Sequence, residues 1–325
     1  VLHRAPALFK EYFPNRKAVI VADNNTWKAA GEAVDASMRE AGIPCERFLI
    51  EEEEFHADWP YVERIDEMLD RTGAVAVAVG SGVINDLCKL ASFHHGQSYL
   101  CVATAASVDG YSSSGYADRA AKIPAGAEWM IADLFGTEPI IPAAWNVFMN
   151  DLDAMLADPE GVAAGKPEAI ASLFAGLTLS GIAMQVAKSS RPASCTEHLF
   201  SHVLDMTHHR YNGKFQSHGF QVAIGTLTMC AFFDEFFKMD LSTLDVDACV
   251  AAWPSLEAEQ RRALDLFRDF PVPELGYTEI TKKWNDAETV RVQLTRVKEN
   301  WPAFKARLQA QCYPFEKMRA LFAAA

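Results

Sequence analysis

The sequence predicts an α/β domain built on a parallel sheet, followed by an all-helical domain. Four apolar runs of strand length, at 17–23, 45–50, 74–79 and 99–103, alternate with stretches of helical periodicity. Such alternation is typical of βαβ units, whose crossover helices make neighbouring strands parallel. From Tyr116 onward we find helical patterns and no strand pattern. We therefore expect an α/β domain at 1–115 and a helical domain at 116–325. The motifs that they contain, taken next, predict dinucleotide binding for the first domain and metal and substrate binding for the second.

Composition narrows the class of partner. The formal net charge of −13 argues against a nucleic-acid or anionic-membrane partner. The seven cysteines form no C-x-x-C pair, as is typical of a reduced, cytoplasmic protein. The apolar run 219–237 is interrupted by three polar residues, so we interpret it as a buried helix rather than a membrane span. We expect a small-molecule substrate, and a homo-oligomer remains an open alternative.

A glycine-rich turn follows the third predicted strand. Gly80-Ser81-Gly82 leads into a helix, and backbone N–H groups at such a junction can hold a pyrophosphate. Asn85 stands where the dinucleotide fingerprint has its third glycine, so a plain tight turn is an equal alternative. After the fourth strand, the polar loop 104–115 leaves the edge of the sheet where ligands bind. Asp109 in that loop either caps it or contacts substrate.

Histidines concentrate between Arg191 and Gly219, which hold five of the nine in the chain. The S-x-x-E pattern of Ser194 to Glu197 predicts that a helix begins at Ser194. His198 and His202 then share one helix face, and His218 opens the next apolar helix. Two imidazoles and a third ligand can bind a divalent ion, although ordinary core and surface roles are the alternative for each histidine.

Several blocks together resemble one family. GSGVINDLCKLAS (80–92), ATAASVDGYSSSG (103–115), and SSRPASCTEHLFSH (189–202) with SHGFQVAIG (217–225) resemble the sn-glycerol-1-phosphate dehydrogenase family. That family belongs to the superfamily of iron-type alcohol dehydrogenases, glycerol dehydrogenase and dehydroquinate synthase. The resemblance runs from Lys17 to about Leu227. It implies a dehydroquinate synthase-like fold and a metal-dependent hydride transfer between NAD(P)H and dihydroxyacetone phosphate, giving sn-glycerol 1-phosphate.

The resemblance implies a metal site of one carboxylate and two histidines. The carboxylate comes from the block GYADRAAK (115–122), and the ligands are Asp118, His198 and His218. Zinc is the first expectation, with nickel or iron(II) as alternatives. His202 lies nearby without being a ligand. His202 and Asp109 are the candidate catalytic residues for proton transfer.

The resemblance also implies residues for the cofactor and for the substrate phosphate. The cofactor-binding residues would be Asp23, Asn24, Gly80, Ser81, Gly82, Asp86, Thr104, Ser107, Ser112 and Ser113. NAD and NADP both stay open, although the acidic run 51–54 would repel a 2′-phosphate. Lys122 and Arg191 are the candidate phosphate ligands. The alternative is that Arg191 pairs with a carboxylate and that Lys122 is solvated.

The sequence departs from the family pattern at Gly115/Tyr116. In the family, a hairpin and a further strand separate the loop like DGYSSSG from the block with the metal-binding Asp. Our first interpretation is that the protein has this segment and that the 325 residues leave it out. A true deletion is the alternative. Cys195 stands where the family tends to have Gly. The competing functions are a glycerol or polyol dehydrogenase, a dehydroquinate synthase, and a non-catalytic metal- or nucleotide-binding relative, which a true deletion would favour.

Overall fold

The structure is a computed structural model that describes residues 2–52, 55–80, 82–104 and 114–325. The chain divides into two compact units, Val1–Gly115 and Tyr116–Ala325. This division falls where the sequence predicts a domain boundary. The functional roles of the two domains stay predictions.

The first unit contains a four-stranded parallel sheet in the order β2-β1-β3-β4. After helix α1 (Ala5–Tyr12), the strands are β1 (Ala18–Asp23), β2 (Cys45–Ile50), β3 (Val75–Gly80) and β4 (Leu100–Ala103). The connecting helices are α2 (Asn24–Thr26), a π-helical turn (Trp27–Gly31), α3 (Glu32–Glu40), α4 (Trp59–Thr72) and α5 (Gly82–His94). The predicted parallel sheet is thus confirmed.

The two central strands, β1 and β3, are buried on both faces of the sheet, which explains why they form continuous apolar runs in the sequence. Val19 and Val21 pack on one face with Ile65 of α4 and Leu87 of α5. Ile20 packs on the opposite face, with Val34 of α3. Since side chains alternate along a strand, the residues 18–22 of β1 and 75–79 of β3 reach one apolar layer or the other. The two central strands are therefore accessible to a ligand at their ends rather than on their faces.

The second unit is mainly helical. Its helices are α6 (Ser114–Ala120), α7 (Lys122–Phe135), α8 (Pro142–Met149), α9 (Leu152–Met155), α10 (Pro159–Ala163), α11 (Pro167–Ala187), α12 (Thr196–Met206), α13 (His218–Phe236), α14 (Val246–Ala251), α15 (Leu256–Phe267), α16 (Glu274–Lys283), α17 (Ala287–Gln311) and α18 (Phe315–Ala324). Helix α7 lies in the middle of the core. Its Met130 packs with Phe233 of α13 and Trp301 of α17, while Trp129 packs with Phe148 of α8.

Two details of this unit differ from the sequence prediction. The helical pattern of residues 139–157 predicts one continuous helix, but α8 ends at Met149 and α9 begins at Leu152, because Asp151 takes a left-handed backbone conformation (φ 58°). A short antiparallel hairpin joins β5 (Arg210–Tyr211) to β6 (Lys214–Phe215), where no strand was expected. Both residues of its turn, Asn212 and Gly213, have positive φ. An Asn-Gly pair is the strongest short-range signal for a hairpin in a sequence, because both residues accept this conformation.

Among the described residues, α11 alone is long and apolar enough to cross a membrane, and 28% of its most apolar window is buried. Its Leu173, Leu177 and Ala183 face the interior of the second unit. The run 219–237, expected to be a buried helix, forms α13 and buries eight residues.

Candidate metal centre

Three helices of the second unit bring the expected metal ligands together. Asp118 lies on α6, His198 in the first turn of α12, and His218 is the first residue of α13. The side chain of Ser217 accepts a hydrogen bond from the N–H of Phe220, which caps α13 and sets the position of His218. Within the described part of the chain, these three residues form the only His/Cys/Asp/Glu group with metal-binding geometry.

The distances fit a divalent cation. The ligand atoms of the three side chains all lie within 4.8 Å of one another. Nε2 of His198 is 3.9 Å and Nε2 of His218 is 3.7 Å from Oδ1 of Asp118. Ligands about 2.0–2.2 Å from a tetrahedral zinc lie roughly 3.3–3.6 Å apart, so a small inward movement would close the site. Asp118 is fully buried and the His218 side chain is 26% exposed, so the His218 side is the more open one.

A carboxylate holds the imidazole of His198 at Nδ1, the nitrogen that faces away from Asp118. Oε1 of Glu197 lies 2.8 Å from Nδ1 of His198 and also accepts a 2.9 Å hydrogen bond from the N–H of Cys195. A carboxylate on Nδ1 favours the tautomer whose Nε2 carries the lone pair, the form that binds a metal. Glu197 is buried, which raises its pKa, and the charge of Lys122 opposes that rise.

The imidazole of His218 is held by a longer chain of polar side chains. Its Nδ1 lies 2.9 Å from Oγ of Ser201, and that hydroxyl donates a 2.7 Å hydrogen bond to Oε1 of Gln221. Nε2 of Gln221 donates in turn to Oδ1 of Asp205, at 2.8 Å. Sequence reasoning missed these supporting residues. Helical spacing could have found them, because Gln221 follows His218 by three residues and Asp205 follows Ser201 by four.

Helix α12 begins at Thr196, two residues after the predicted start at Ser194. Its N-cap residue is Cys195, which provides no side-chain cap. Instead, Oε2 of Glu128 on α7 accepts a 2.6 Å hydrogen bond from Oγ1 of Thr196, and the N–H of Thr196 also points at this carboxylate. Burial raises the pKa of Glu128 to about 7, and the charge of Glu197 adds to the rise, against the hydrogen bonds from Thr196. The cap therefore comes from a distant residue, which no local motif can reveal.

Helices α12 and α13 touch through their main chains. A Cβ atom built on Gly225 would lie 2.2 Å from the carbonyl oxygen of Glu197. Real side chains never approach so closely, so the position requires glycine. This contact sets the spacing between the helices that carry His198 and His218.

The two basic residues predicted for the substrate phosphate have protein partners. Arg191 donates from Nε to Glu138 at 2.6 Å. Lys122 is fully buried, and its ammonium group donates to the carbonyl of Ala193. His202 lies on α12 and is exposed, outside the cluster around Asp118.

Several of the candidate cofactor-binding residues that the structure describes lie at the carboxyl ends of three strands in the first unit. Asp23 ends β1 and caps the following helix, with its carboxylate accepting from the N–H groups of Asn25 and Thr26. Gly80 ends β3, and its carbonyl accepts a 3.3 Å hydrogen bond from the N–H of Thr104 just after β4. In the order β2-β1-β3-β4, the direction of chain progression reverses between β1 and β3, which is where open sheets bind ligands.

The remaining cofactor candidates differ in surroundings. Asn24 donates to the carbonyl of Glu51 at 3.1 Å. Gly82 is buried at the start of α5, and exposed Asp86 lies 3.5 Å from the ammonium of Lys89. A Cβ on Gly80 would lie 2.7 Å from Cβ of Ile84, so close packing of α5 on β3 requires glycine there. Ser81, Ser107, Asp109, Ser112 and Ser113 lie outside the described residues.

Comparison with known proteins identifies the family. Residues 1–125 match the family model described as iron-containing alcohol dehydrogenase. The chain is 30% identical over 260 residues to the glycerol-1-phosphate dehydrogenase [NAD(P)+] of Pyrococcus horikoshii, covering 68% of this chain and 72% of that protein. It is 26% identical over 314 residues to the protein of the same name from Geobacillus thermodenitrificans, covering 82% and 77%. The chain therefore belongs to the glycerol-1-phosphate dehydrogenase family, and the resemblance inferred from the sequence blocks is confirmed.

The fold comparison agrees. Glycerol dehydrogenase from Schizosaccharomyces pombe superposes with a TM-score of 0.57 at 16% identity, covering 95% of this chain and 89% of that one. The predicted fold class is thereby confirmed. The Geobacillus alignment runs over 314 positions yet takes up 82% of the 325 residues here, so part of that relative lies opposite gaps in this chain. The position of a missing segment at Gly115/Tyr116 stays a prediction.

Proposed function

We propose that this protein catalyses the reversible, NAD(P)H-dependent reduction of dihydroxyacetone phosphate to sn-glycerol 1-phosphate. The observation that carries the proposal is the convergence of Asp118, His198 and His218 in the helical unit. Membership of the glycerol-1-phosphate dehydrogenase family supports the reaction and the coenzyme. An Asp/His/His set leaves coordination positions open, which suits a catalytic site better than a closed structural one.

In this proposal the three side chains bind a divalent cation, zinc first and nickel or iron(II) as alternatives. Such a cation, when bound, polarises the substrate carbonyl as a Lewis acid. The nicotinamide, when bound, supplies the hydride. The residues of the chain hold and orient these groups. Glu197 keeps the His198 imidazole in the metal-binding tautomer, and His202 or Asp109 would pass a proton to the reduced oxygen.

We assign the cofactor to the carboxyl edge of the parallel sheet. Gly80, Ser81 and Gly82 would leave room for the pyrophosphate beside the first N–H groups of α5. Asp23 and Asn24 would face the adenosine half. The other proposed contacts are Asp86, Thr104, Ser107, Ser112 and Ser113.

The phosphate of the substrate is assigned to Arg191 and Lys122. Arg191 precedes α12, and its guanidinium group can form charge-assisted hydrogen bonds with an anion. To bind phosphate, Arg191 would have to exchange its contact with Glu138, and Lys122 its contact with the Ala193 carbonyl.

Substrate turnover tests the proposal directly. The metal-loaded protein is assayed for reduction of dihydroxyacetone phosphate with NADH and with NADPH, and for oxidation of glycerol with NAD⁺ and with NADP⁺. Turnover of the phosphorylated heptulosonate used by dehydroquinate synthases is assayed separately in the presence of NAD⁺. We expect turnover of dihydroxyacetone phosphate to exceed the others. Preference for glycerol would establish a polyol dehydrogenase, and no turnover with metal and nucleotide bound would establish a non-catalytic relative. Cytoplasmic location and the absence of nucleic-acid and membrane partners stay predictions from composition.

A further inference from the structure

Metal-binding histidines require a defined tautomer. An imidazole binds through the nitrogen that carries the lone pair, so the proton has to sit on the other nitrogen. For His218, Nε2 faces Asp118 and His198, so the proton has to sit on Nδ1. The group next to Nδ1 is the hydroxyl of Ser201. A hydroxyl can donate or accept, so Ser201 alone permits either tautomer.

The direction of the Ser201 hydroxyl is decided by Gln221. Ser201 has one proton, and Oε1 of Gln221 accepts it at 2.7 Å. Once the proton is committed there, the hydroxyl oxygen can only accept from His218. Ser201 is fully buried and Gln221 is 2% exposed, so water is kept from replacing these partners.

The orientation of the Gln221 amide is decided by Asp205. Nε2 of Gln221 donates to Oδ1 of Asp205 at 2.8 Å. If the amide were flipped, its oxygen would face a carboxylate, and two acceptors would oppose each other without a proton. A hydrogen bond to a charged acceptor is roughly twice as strong as a neutral one, so the observed orientation is strongly preferred.

We propose that Asp205, Gln221 and Ser201 form a relay that sets the tautomer of His218 and thereby prepares its Nε2 for the metal. The inference rests on the proposed metal site and goes beyond it by assigning positioning roles to three residues outside the ligand set. It also explains a difference between the two histidines. His198 has a carboxylate directly on Nδ1, whereas His218 reaches one only through two intervening side chains.

Two substitutions at position 221 separate the relay from simple packing. Gln221→Leu and Gln221→Glu both keep a side chain of similar size. Leu removes both the donor to Asp205 and the acceptor for Ser201. Glu keeps the acceptor, and its carboxyl group shares one proton with the facing Asp205 carboxylate, as closely spaced carboxyl pairs do. In the Leu variant the Ser201 hydroxyl is released to donate to Nδ1 of His218, which moves the proton to Nε2. We expect Gln221→Leu to weaken zinc binding about 10- to 100-fold, the usual cost of losing such support, and Gln221→Glu to stay within a few-fold of wild type.

The tautomer itself is read from the imidazole ¹⁵N chemical shifts of His218 in metal-free protein. We expect the Nδ1–H form in wild type and in Gln221→Glu, the Nε2–H form in Gln221→Leu, and a mixture in Asp205→Asn. Glu235→Gln, which removes an exposed charge on α13, is the matched control for Asp205→Asn. This control corrects for the long-range effect of losing one negative charge on zinc affinity.

Zinc titration of the wild type and of His218→Ala comes first. If wild type does not bind zinc, the proposed metal site fails whatever the relay does. If wild type binds zinc and Gln221→Leu matches it in affinity and in tautomer, the relay is overturned while the metal site stands. A loss of affinity with an unchanged His218 tautomer also overturns it. Thermal unfolding of each variant verifies that the fold is retained, and Asp205→Asn, at an exposed position, keeps the test decisive if a substitution at 221 unfolds the protein.

Discussion

The two units support their candidate ligand sites in different ways. In the first unit, Asp23, Gly80 and Thr104 lie at strand ends, where the direction of the backbone places them. In the second unit, Asp118, His198 and His218 come from three helices and depend on buried polar side chains for their orientation. We expect a site on strand ends to be disturbed mainly when a small residue is replaced by a larger one close to the backbone. We expect a site on helices to be disturbed mainly when the side chains that hydrogen-bond to its ligands are replaced.

The largest effect is expected at the metal ligands. His198→Ala, His218→Ala and Asp118→Asn should each remove bound metal and lower turnover by on the order of 10³-fold or more, since Lewis-acid assistance is worth several kcal/mol. The fold should be retained, because the surrounding helices pack through other residues. Elemental analysis measures metal content, and circular dichroism checks the fold. Full metal occupancy in any of the three variants contradicts the assignment.

The next effect concerns the substrate phosphate. Arg191→Ala should cost about 2–4 kcal/mol in transition-state stabilisation of dihydroxyacetone phosphate, through loss of a charge-assisted contact. Residual activity on unphosphorylated dihydroxyacetone should barely change. The measurement is kcat/KM for both substrates.

Glu138→Gln is the matched control for Arg191→Ala, because it breaks the Arg191 ion pair from the other side. If Arg191 binds phosphate, this variant should keep most of its activity on the phosphorylated substrate. Equal loss of both activities in both variants would show that Arg191 serves only its pair with Glu138.

In the first unit, we expect cofactor binding to weaken when a side chain is added next to the backbone that would hold the pyrophosphate. Gly82→Val should raise the KM for the nicotinamide cofactor about 10- to 100-fold, because an added side chain in a filled site costs about 1–3 kcal/mol. Zinc content should stay at the wild-type level, since the metal site belongs to the other unit. Unchanged cofactor affinity would show that this glycine serves only the tight turn.

The smallest effect is on stability as a function of pH. The pKa of Glu128 is about 7 in the folded protein, above its ordinary value of 4.5. Between these values the folded state holds the proton more firmly than the unfolded state. The contribution to stability is therefore complete below about pH 4.5 and is lost as pH rises toward 7. Wild type should lose on the order of 1–3 kcal/mol of unfolding free energy over this range.

Urea unfolding at several pH values measures this loss. Glu128→Gln should remove it, because the amide does not ionise. Glu168→Gln, at an exposed position of α11, is the control and should keep the wild-type slope. A wild-type slope in Glu128→Gln would mean that another group is responsible.

The comparison of the two units also explains which features could be predicted from the sequence. The bounds of β2 were predicted to the residue, because the apolar pattern of residues 45–50 marks them locally. The metal ligands were predicted through the resemblance to a family, and the structure brings them together. The start of α12 was wrong by two residues because its cap, Glu128, lies 68 positions upstream. The hairpin at 210–215 was missed although its Asn-Gly turn was visible.

The main-chain contact at Gly225 has a consequence for protein engineering. In most helix pairs the side chains at the contact set an interaxial distance of about 8–10 Å, and mutations there change it. Here carbonyl and Cα atoms of Glu197 meet a residue without a side chain, so main-chain atoms limit how closely α12 and α13 approach at this point. A designer who transfers the Asp/His/His set to another pair of helices would therefore transfer this glycine as well. Any larger residue at its position would move the helix that carries His218 away from the helix that carries His198.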